Sequence, residues 1–315
     1  MGKKKKLPQI VKDIRAYKPD EINYAYQKNV SYSQFSMYRS CPHKWALQYK
    51  DGHKIFSSTV HTVFGTALHE ALQHYLDVMY DQSGAAADRL DIYTIFEDAL
   101  REEYQLQYKK NKGSHFSSSE ELREFYEDGV EILKTFKRKK GQYFNKKGWY
   151  LVGCEIPVIV PPNKFYNNVI YQGYLDIVMY HEPTQTFKII DIKTSTRGWN
   201  AKVKKDEDKQ FQLILYKKFF SEQFNIPIGN IDVEFFILKR KVFDHPDYVI
   251  PRIQTFTPAS GKVKLNKANK ALNSFIEEVF DKKGYKDKNY TPTPSKWNCT
   301  FCPFKDNPEL CGVSQ

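Results

Sequence analysis

The chain has 315 residues, 41% of them hydrophobic and 15% aromatic, enough for one large domain or two modest ones and incompatible with global disorder. Its formal net charge of +12 favours an acidic polymer as partner without demanding one, because the excess is shared between the Lys3–Lys6 run and scattered stretches such as Lys109–Lys112 and Lys137–Lys140. No apolar run approaches the ~20 residues of a membrane span, MGKKKKLPQ lacks the apolar segment of a signal peptide, and Lys6 stands where a myristoylation site needs Ser or Thr, so a soluble intracellular protein is expected.

Residues 1–30 are basic and then mixed, without a clear period, and read as an arm followed by an ordered lead-in. From Ser31 the run SYSQFSMYRSCPHKWALQYK is helical in pattern. Ser33 offers an N-cap, Phe35, Tyr38, Trp45 and Tyr49 recur at helical spacing, and Pro42 begins a second helical piece or kinks the first. Residues 60–80 form the strongest amphipathic helix, with Val63, Phe64, Ala67, Leu68, Ala71, Leu72, Tyr75, Leu76 and Met79 on one stripe. Gly65 lets another backbone approach, and His69 lies four residues later beside the stripe, whereas His74 falls nearly opposite. Taken alone, a helical histidine is as readily a satisfied or exposed side chain as a ligand. A Gly/Ala-rich break at 83–87 precedes helical stretches at 91–110 and 117–147, the second opening on Ser118 with acids in its first turn. Residues 31–147 thus read as a helical lobe, with solvated lysine faces as the default.

Residues 149–160 are the first expected core strand and carry Cys154 and Glu155; strand parity leaves open whether Glu155 faces the site or away from it. The stretch 170–194 reads as a hairpin: an alternating strand to Tyr180, the polar turn His181–Gln185, and a second strand from Phe187. Charge in such apolar strands is costly unless paired or bound to a cation. Asp191 and Lys193, two apart, leave the sheet on one face, and Asp176 reaches it if the hairpin pairs near its turn. Two carboxylates and an ammonium then converge where a hard cation such as Mg²⁺ finds oxygen ligands and a lysine can orient water or offset phosphate charge. By itself D-x-K is equally an ion pair on an edge hairpin. Residues 206–220 form a helix that sets Gln212 and Tyr216 one turn apart on one face. Strands follow at 231–240 and 248–256, then a helix at 262–280, then a loop-like tail. That tail holds Cys299-x-x-Cys302 and Cys311, with Pro-Phe after Cys302. Five cysteines without a secretory signal speak for metal or cluster ligation rather than disulfides, and Cys154 is the one left over.

Five short motifs stand in order: the Cys41-Pro42 entry helix, Gly65-x-x-x-His69, Gly173-Tyr-Leu-Asp176 with Asp191-Ile-Lys193, Gln212-x-x-x-Tyr216, and the terminal cysteine box. Together they resemble the RecB-like branch of the PD-(D/E)XK nucleases that carries a C-terminal iron–sulfur box, as in CRISPR-associated RecB-like exonucleases and the AddB nuclease domain. The resemblance implies an α/β fold with a restriction-endonuclease-like mixed central sheet flanked by helices and an N-terminal helical lobe. It divides the chain into an arm (1–30), the lobe (31–147), a nuclease core (148–285) and a cysteine-rich cluster segment (286–315). It implies a metal-dependent DNA exonuclease working on single strands or duplex ends in recombination, repair or viral DNA processing, alongside recombination or replication proteins, in a prokaryotic cytoplasm or as a viral protein in a host cell. His69, Asp176, Asp191 and the backbone carbonyl of Ile192 would hold Mg²⁺ or Mn²⁺, Lys193 would activate or position water, and Gln212 and Tyr216 would orient the strand. Cys41, Cys299, Cys302 and Cys311 would hold a 4Fe–4S cluster. Eight residues separate Cys302 from Cys311, a longer spacer than the family's usual one, and zinc on four cysteines is the structural alternative. A non-catalytic, end-protecting DNA-binding subunit with the same fold is the alternative function.

Overall fold

The computed structural model describes residues 6–313 apart from 21, 23–26, 54, 145–146, 167 and 244–249. Most of the Lys3–Lys6 run, the end of the expected 117–147 helix and Tyr248 of the expected last strand therefore lie outside the described residues.

The lead-in, expected to be ordered but without an assigned element, carries helix α1 (Gln9–Ala16) and strand β1 (Lys28–Val30). Both are too short to show a period, yet Val11 and Ile14 are buried in the core. Arg15 clasps the next sheet strand through its bonds to the Leu151 and Val152 carbonyls at 2.8 and 3.0 Å. Helix α2 (Tyr32–Ser40) is capped by Ser31, whose hydroxyl accepts from Gln34 N, rather than by Ser33. Pro42 begins α3 (Pro42–Trp45) as expected, its fixed φ suiting the first turn, with Cys41 as the cap. Helix α4 (Val60–Asp81) follows, and the Gly/Ala-rich break after it folds into a short helix, α5 (Gly84–Arg89), because Ser83 caps it. Helices α6 (Ile92–Lys110) and α7 (Ser119–Tyr143) complete the first half, each started by an oxygen-bearing cap, Asp91 and Ser118.

The second half supplies the rest of the sheet: β2 (Trp149–Val160), β3 (Val169–His181), β4 (Thr186–Ser195), then α8 (Ala201–Lys205), α9 (Glu207–Phe224), β5 (Ile231–Lys239) and β6 (Ile253–Phe256). Helix α10 (Lys262–Val279), the two-residue strands β7 (Phe280–Asp281) and β8 (Gly284–Tyr285), α11 (Lys296–Thr300) and α12 (Pro308–Cys311) close the chain. The sheet order is β1-β3-β4-β5-β6, with β2 on the other edge of β3. Pairings β2–β3, β3–β4 and β5–β6 are antiparallel, while β1–β3 and β4–β5 are parallel.

Both faces of this mixed sheet are covered, so its strands read as nearly continuous apolar runs. One face packs Tyr171, Leu175, Phe187, Ile189, Val233 and Phe235 against α2, α9 and α10. The other packs Ile177, Met179, Ile190, Ile192, Phe236 and Leu238 against α4, α6 and α7. The lobe helices after α3 are therefore the cover of one sheet face. Where α4, α6 and α7 meet, Gly129 of α7 has no room for a side chain: a Cβ there would lie 2.3 Å from Phe96 Cζ and 3.1 Å from Phe64 Cε2. Gly129→Ala should cost about 1–3 kcal/mol by overpacking, read as a lower urea midpoint at unchanged slope; an unshifted midpoint would show that the helices part freely.

Candidate active site

The β3 ladder has an opening. Tyr171 pairs with Val30 of β1 and with Val160 of β2, so β1 and β2 flank opposite edges of β3. On the β1 edge the partner changes: β1 covers residues 169–171, and β4 pairs only with residues 177–181. Residues 172–176 have no strand on that edge among the described residues. There the Asp176 side chain replaces the missing strand, its Oδ2 accepting from Ile192 N at 2.7 Å. The carboxylate thus caps the point where the hairpin splays.

By alternation from Phe187 and Ile189, Asp191 and Lys193 leave β4 on the face covered by α9. His69 comes from α4 on the other face, and the opening lets the two sides meet. Gly65 makes that approach possible, since a Cβ there would stand 3.3 Å from Thr194 Oγ1 on β4. One turn later His69 Nδ1 lies 3.5 Å from Asp176 Oδ2.

Glu155 completes the group, a placement that simple parity leaves open. It adopts φ = 52°, a left-handed conformation rare for a residue with a side chain, and so breaks the alternation of β2 opposite Asp176. Ligand atoms of His69, Glu155 and Asp176 all lie within 4.8 Å of one another. Gln73 holds the arrangement, with Nε2 donating to Glu155 Oε1 at 2.7 Å and to the Asp176 carbonyl at 3.0 Å. Gln73 has a signal in the sequence after all, one turn beyond His69 on the same helix face; Glu155 needed a backbone conformation that pattern does not encode.

Asp191 lies outside that trio and pairs with Lys193, Nζ to Oδ2, at 2.8 Å. It is 1% exposed, and its Oδ1 has no hydrogen-bond partner among the described residues. Burial raises its carboxyl above the ordinary range against the pull of Lys193. Burial, then the charge of Asp191, drives Asp176 well upward. Burial also works against the Lys193 ammonium, but Asp191 and Asp176 outweigh it and hold the proton on. His69 is lowered to about 4 by burial and by Lys193, leaving a neutral imidazole at physiological pH, the form that binds metals. An orphaned buried oxygen, crowded carboxylates and a neutral imidazole fit a divalent cation, which would relieve the repulsion that the lone ammonium leaves.

The site opens into a groove of about 800 Å³ lined by Ser31, Tyr32, Thr66, Glu70, Tyr174 and Tyr216 as well as the trio. Tyr216 reaches it from α9 because Gly173 is small, a Cβ there falling 2.8 Å from the Tyr216 ring. Gln212 follows one turn earlier and donates to Tyr216 Oη at 3.4 Å. His69, Asp176 and Tyr216 thus share the groove, with Gln212 behind Tyr216 and the Asp191–Lys193 pair on the adjoining strand outside its lining.

A second cavity, about 550 Å³, is lined by Cys41, Cys299, Cys302 and Cys311 together. Its walls are laced by Asn298 Nδ2 to the Ser40 carbonyl at 2.7 Å and by His43 Nε2 against the Leu310 carbonyl at 2.8 Å. The four thiols contain no group of three within 4.8 Å of one another. Cys154 stands apart, packed beside the second core, its thiol pushed upward by burial.

The mixed central sheet flanked by helices is a restriction-endonuclease-like fold. The family model of the PD-(D/E)XK nuclease superfamily matches residues 29–307, and the chain belongs to that superfamily. No curated protein matches it. Members of the superfamily are nucleases that act on DNA and typically use Mg²⁺ or Mn²⁺. No described helix is long and apolar enough to cross a membrane.

A carboxyl raised in the folded state holds more protons there than in the unfolded chain, so its contribution to stability is present at low pH and is lost as pH rises through its folded value. Without metal, Asp176→Asn should therefore raise Tm at neutral pH while keeping an acceptor for Ile192 N. Mn²⁺ at a hundred times its dissociation constant should stabilise the wild type by about 2.7 kcal/mol, read as a higher Tm, and leave the variant unmoved. Equal responses in a thermal melt would place the cation elsewhere.

Proposed function

We propose that the protein is a RecB-like deoxyribonuclease, an exonuclease acting on DNA single strands or duplex ends in recombination, repair or viral DNA processing. The observation that carries this reading is the convergence of the Asp191–Lys193 pair with His69, Glu155 and Asp176 at the opening of the ladder. His69, Asp176 and Asp191, with Glu155 and the Ile192 carbonyl, are the groups that would hold Mg²⁺ or Mn²⁺. A cation held there supplies Lewis acidity and a water nucleophile near neutral pH. Lys193 positions that water or offsets the charge that builds on phosphate as the new P–O bond forms and the P–O bond to the leaving nucleotide breaks. Tyr216, backed by Gln212, orients the strand in the groove.

The same reading gives Cys41, Cys299, Cys302 and Cys311 a structural 4Fe–4S cluster. A tetrahedral zinc with Zn–S bonds of about 2.3 Å draws its sulfurs to about 3.8 Å from one another. The four thiols share one cavity, and either group would draw them together. Cys41 also sits at the N-cap of α3, accepting from Lys44 N at 3.4 Å.

End-labelled single- and double-stranded DNA with Mn²⁺ or Mg²⁺ tests the nuclease. Wild type should degrade a labelled strand from an end, and Lys193→Ala and Asp191→Ala should each lose about 10²- to 10³-fold or more in rate. Cleavage undiminished in both variants would remove this site from the chemistry. Protein purified without oxygen should be brown and carry iron, and Cys41→Ser should bleach it; a colourless wild type holding one zinc would replace the cluster with a zinc staple.

A further inference from the structure

Three tyrosines line the groove, and they differ in what their rings do. The Tyr216 ring is buried against Gly173. Tyr32 is packed against the first core, and its hydroxyl donates to the Asp208 carbonyl at 2.6 Å. Tyr174 is 45% exposed, in the unpaired stretch of β3 that faces the groove.

Its exposed ring is nevertheless held. Asn29 Nδ2 donates to Gln172 Oε1 at 3.1 Å, and Gln172 Nε2 donates to Tyr174 Oη at 3.1 Å. Ordering side chains this way costs rotamer entropy, and an exposed ring recovers little of it by burial. Stability of the fold thus gives no account of the arrangement. Position does: Tyr174 and Asp176 are alternate residues of one strand, about 6.8 Å apart. Stacked nucleotides rise about 3.4 Å each along a strand, so the ring meets a base one or two nucleotides from a phosphate held at Asp176.

We propose that Tyr174 is a base-stacking platform that selects an unpaired strand next to the scissile phosphate, a role that rests on the nuclease reading above. A base inside a duplex already has both faces stacked and must leave its neighbours to use the ring. A base of a single strand gains the ring at no such cost, and any of the four bases can do so. The remaining lining is hydroxyl, amide, carboxylate and the partly buried His69 imidazole, and among the described lining residues Tyr174 is the one exposed aromatic ring.

Steady-state cleavage of a labelled oligothymidylate single strand with Mn²⁺ tests this, using wild type, Tyr174→Phe and Tyr174→Ala, and strands with one abasic residue moved stepwise from the cut. Tyr174→Ala should raise KM about 5- to 150-fold, the equivalent of losing one base–aromatic stack, while kcat stays within a few-fold and Tm is unchanged. Tyr174→Phe, which keeps the ring face, should stay within a few-fold of wild type. An abasic residue one or two nucleotides from the cut should reproduce the loss in wild type and add nothing in Tyr174→Ala. A wild-type KM in Tyr174→Ala, or a further full loss on the abasic strand, overturns the platform alone, because wild-type cleavage leaves the nuclease intact. A wild type that neither binds nor cuts DNA overturns both.

Discussion

A single hydrogen bond, Ile192 N to Asp176 Oδ2, sits where β3 and β4 stop pairing, and the candidate site is arranged around it. A buried amide must find a partner, and here a side chain serves in place of a strand. The consequence is an opening in an otherwise closed sheet through which α4 and α9, packed on opposite faces, present side chains to one point. Had β3 and β4 paired along their whole length, His69 would meet the back of a sheet and Asp191 would be sealed beneath α9. The opening also explains the glycines nearby: Gly65 lets α4 lie on β4, and Gly173 lets Tyr216 lean over β3.

Electrostatically the corner is unbalanced as a protein and balanced as a cation site. Three acids, a neutral imidazole and one ammonium are gathered here, and burial penalises the charges of Asp176, Asp191 and Lys193. Such a group is costly to fold around. The cost is tolerable because the flanking faces are fully apolar and because Gln73 and Ile192 satisfy the acids that Lys193 does not reach. The affinity for a divalent ion and the strain of the empty corner are two sides of the same crowding.

Much of this was legible from the amino acids because its signals are local. The hairpin showed as alternation around a polar turn, α4 as a long apolar stripe, and Gln212 with Tyr216 as neighbours on one helix face. What escaped depends on the third dimension. Glu155 was left undecided by strand parity, which holds only while every residue is extended; its left-handed φ cancels the rule at one position. Strand β1 is three residues long and exists because β3 offers it an edge. Helix α5 formed where a Gly/Ala run suggested a break, since one serine cap outweighs the weak propensity of a single glycine. Ser31 displaced Ser33 as the α2 cap, an error of two residues typical of choosing between like side chains. Tyr174 carried no signal at all, because an exposed tyrosine in a strand becomes noteworthy only once its surroundings are known.

Helix α2 begins at the groove, with Ser31, Tyr32 and Ser33 on its lip, and ends at Ser40 and Cys41 on the wall of the cysteine cavity. Nine helical residues span about 13.5 Å, and over that distance a helix behaves as a rod. The two cavities are therefore mechanically in series. A shift of the thiol end would be carried along the helix to the lip of the groove.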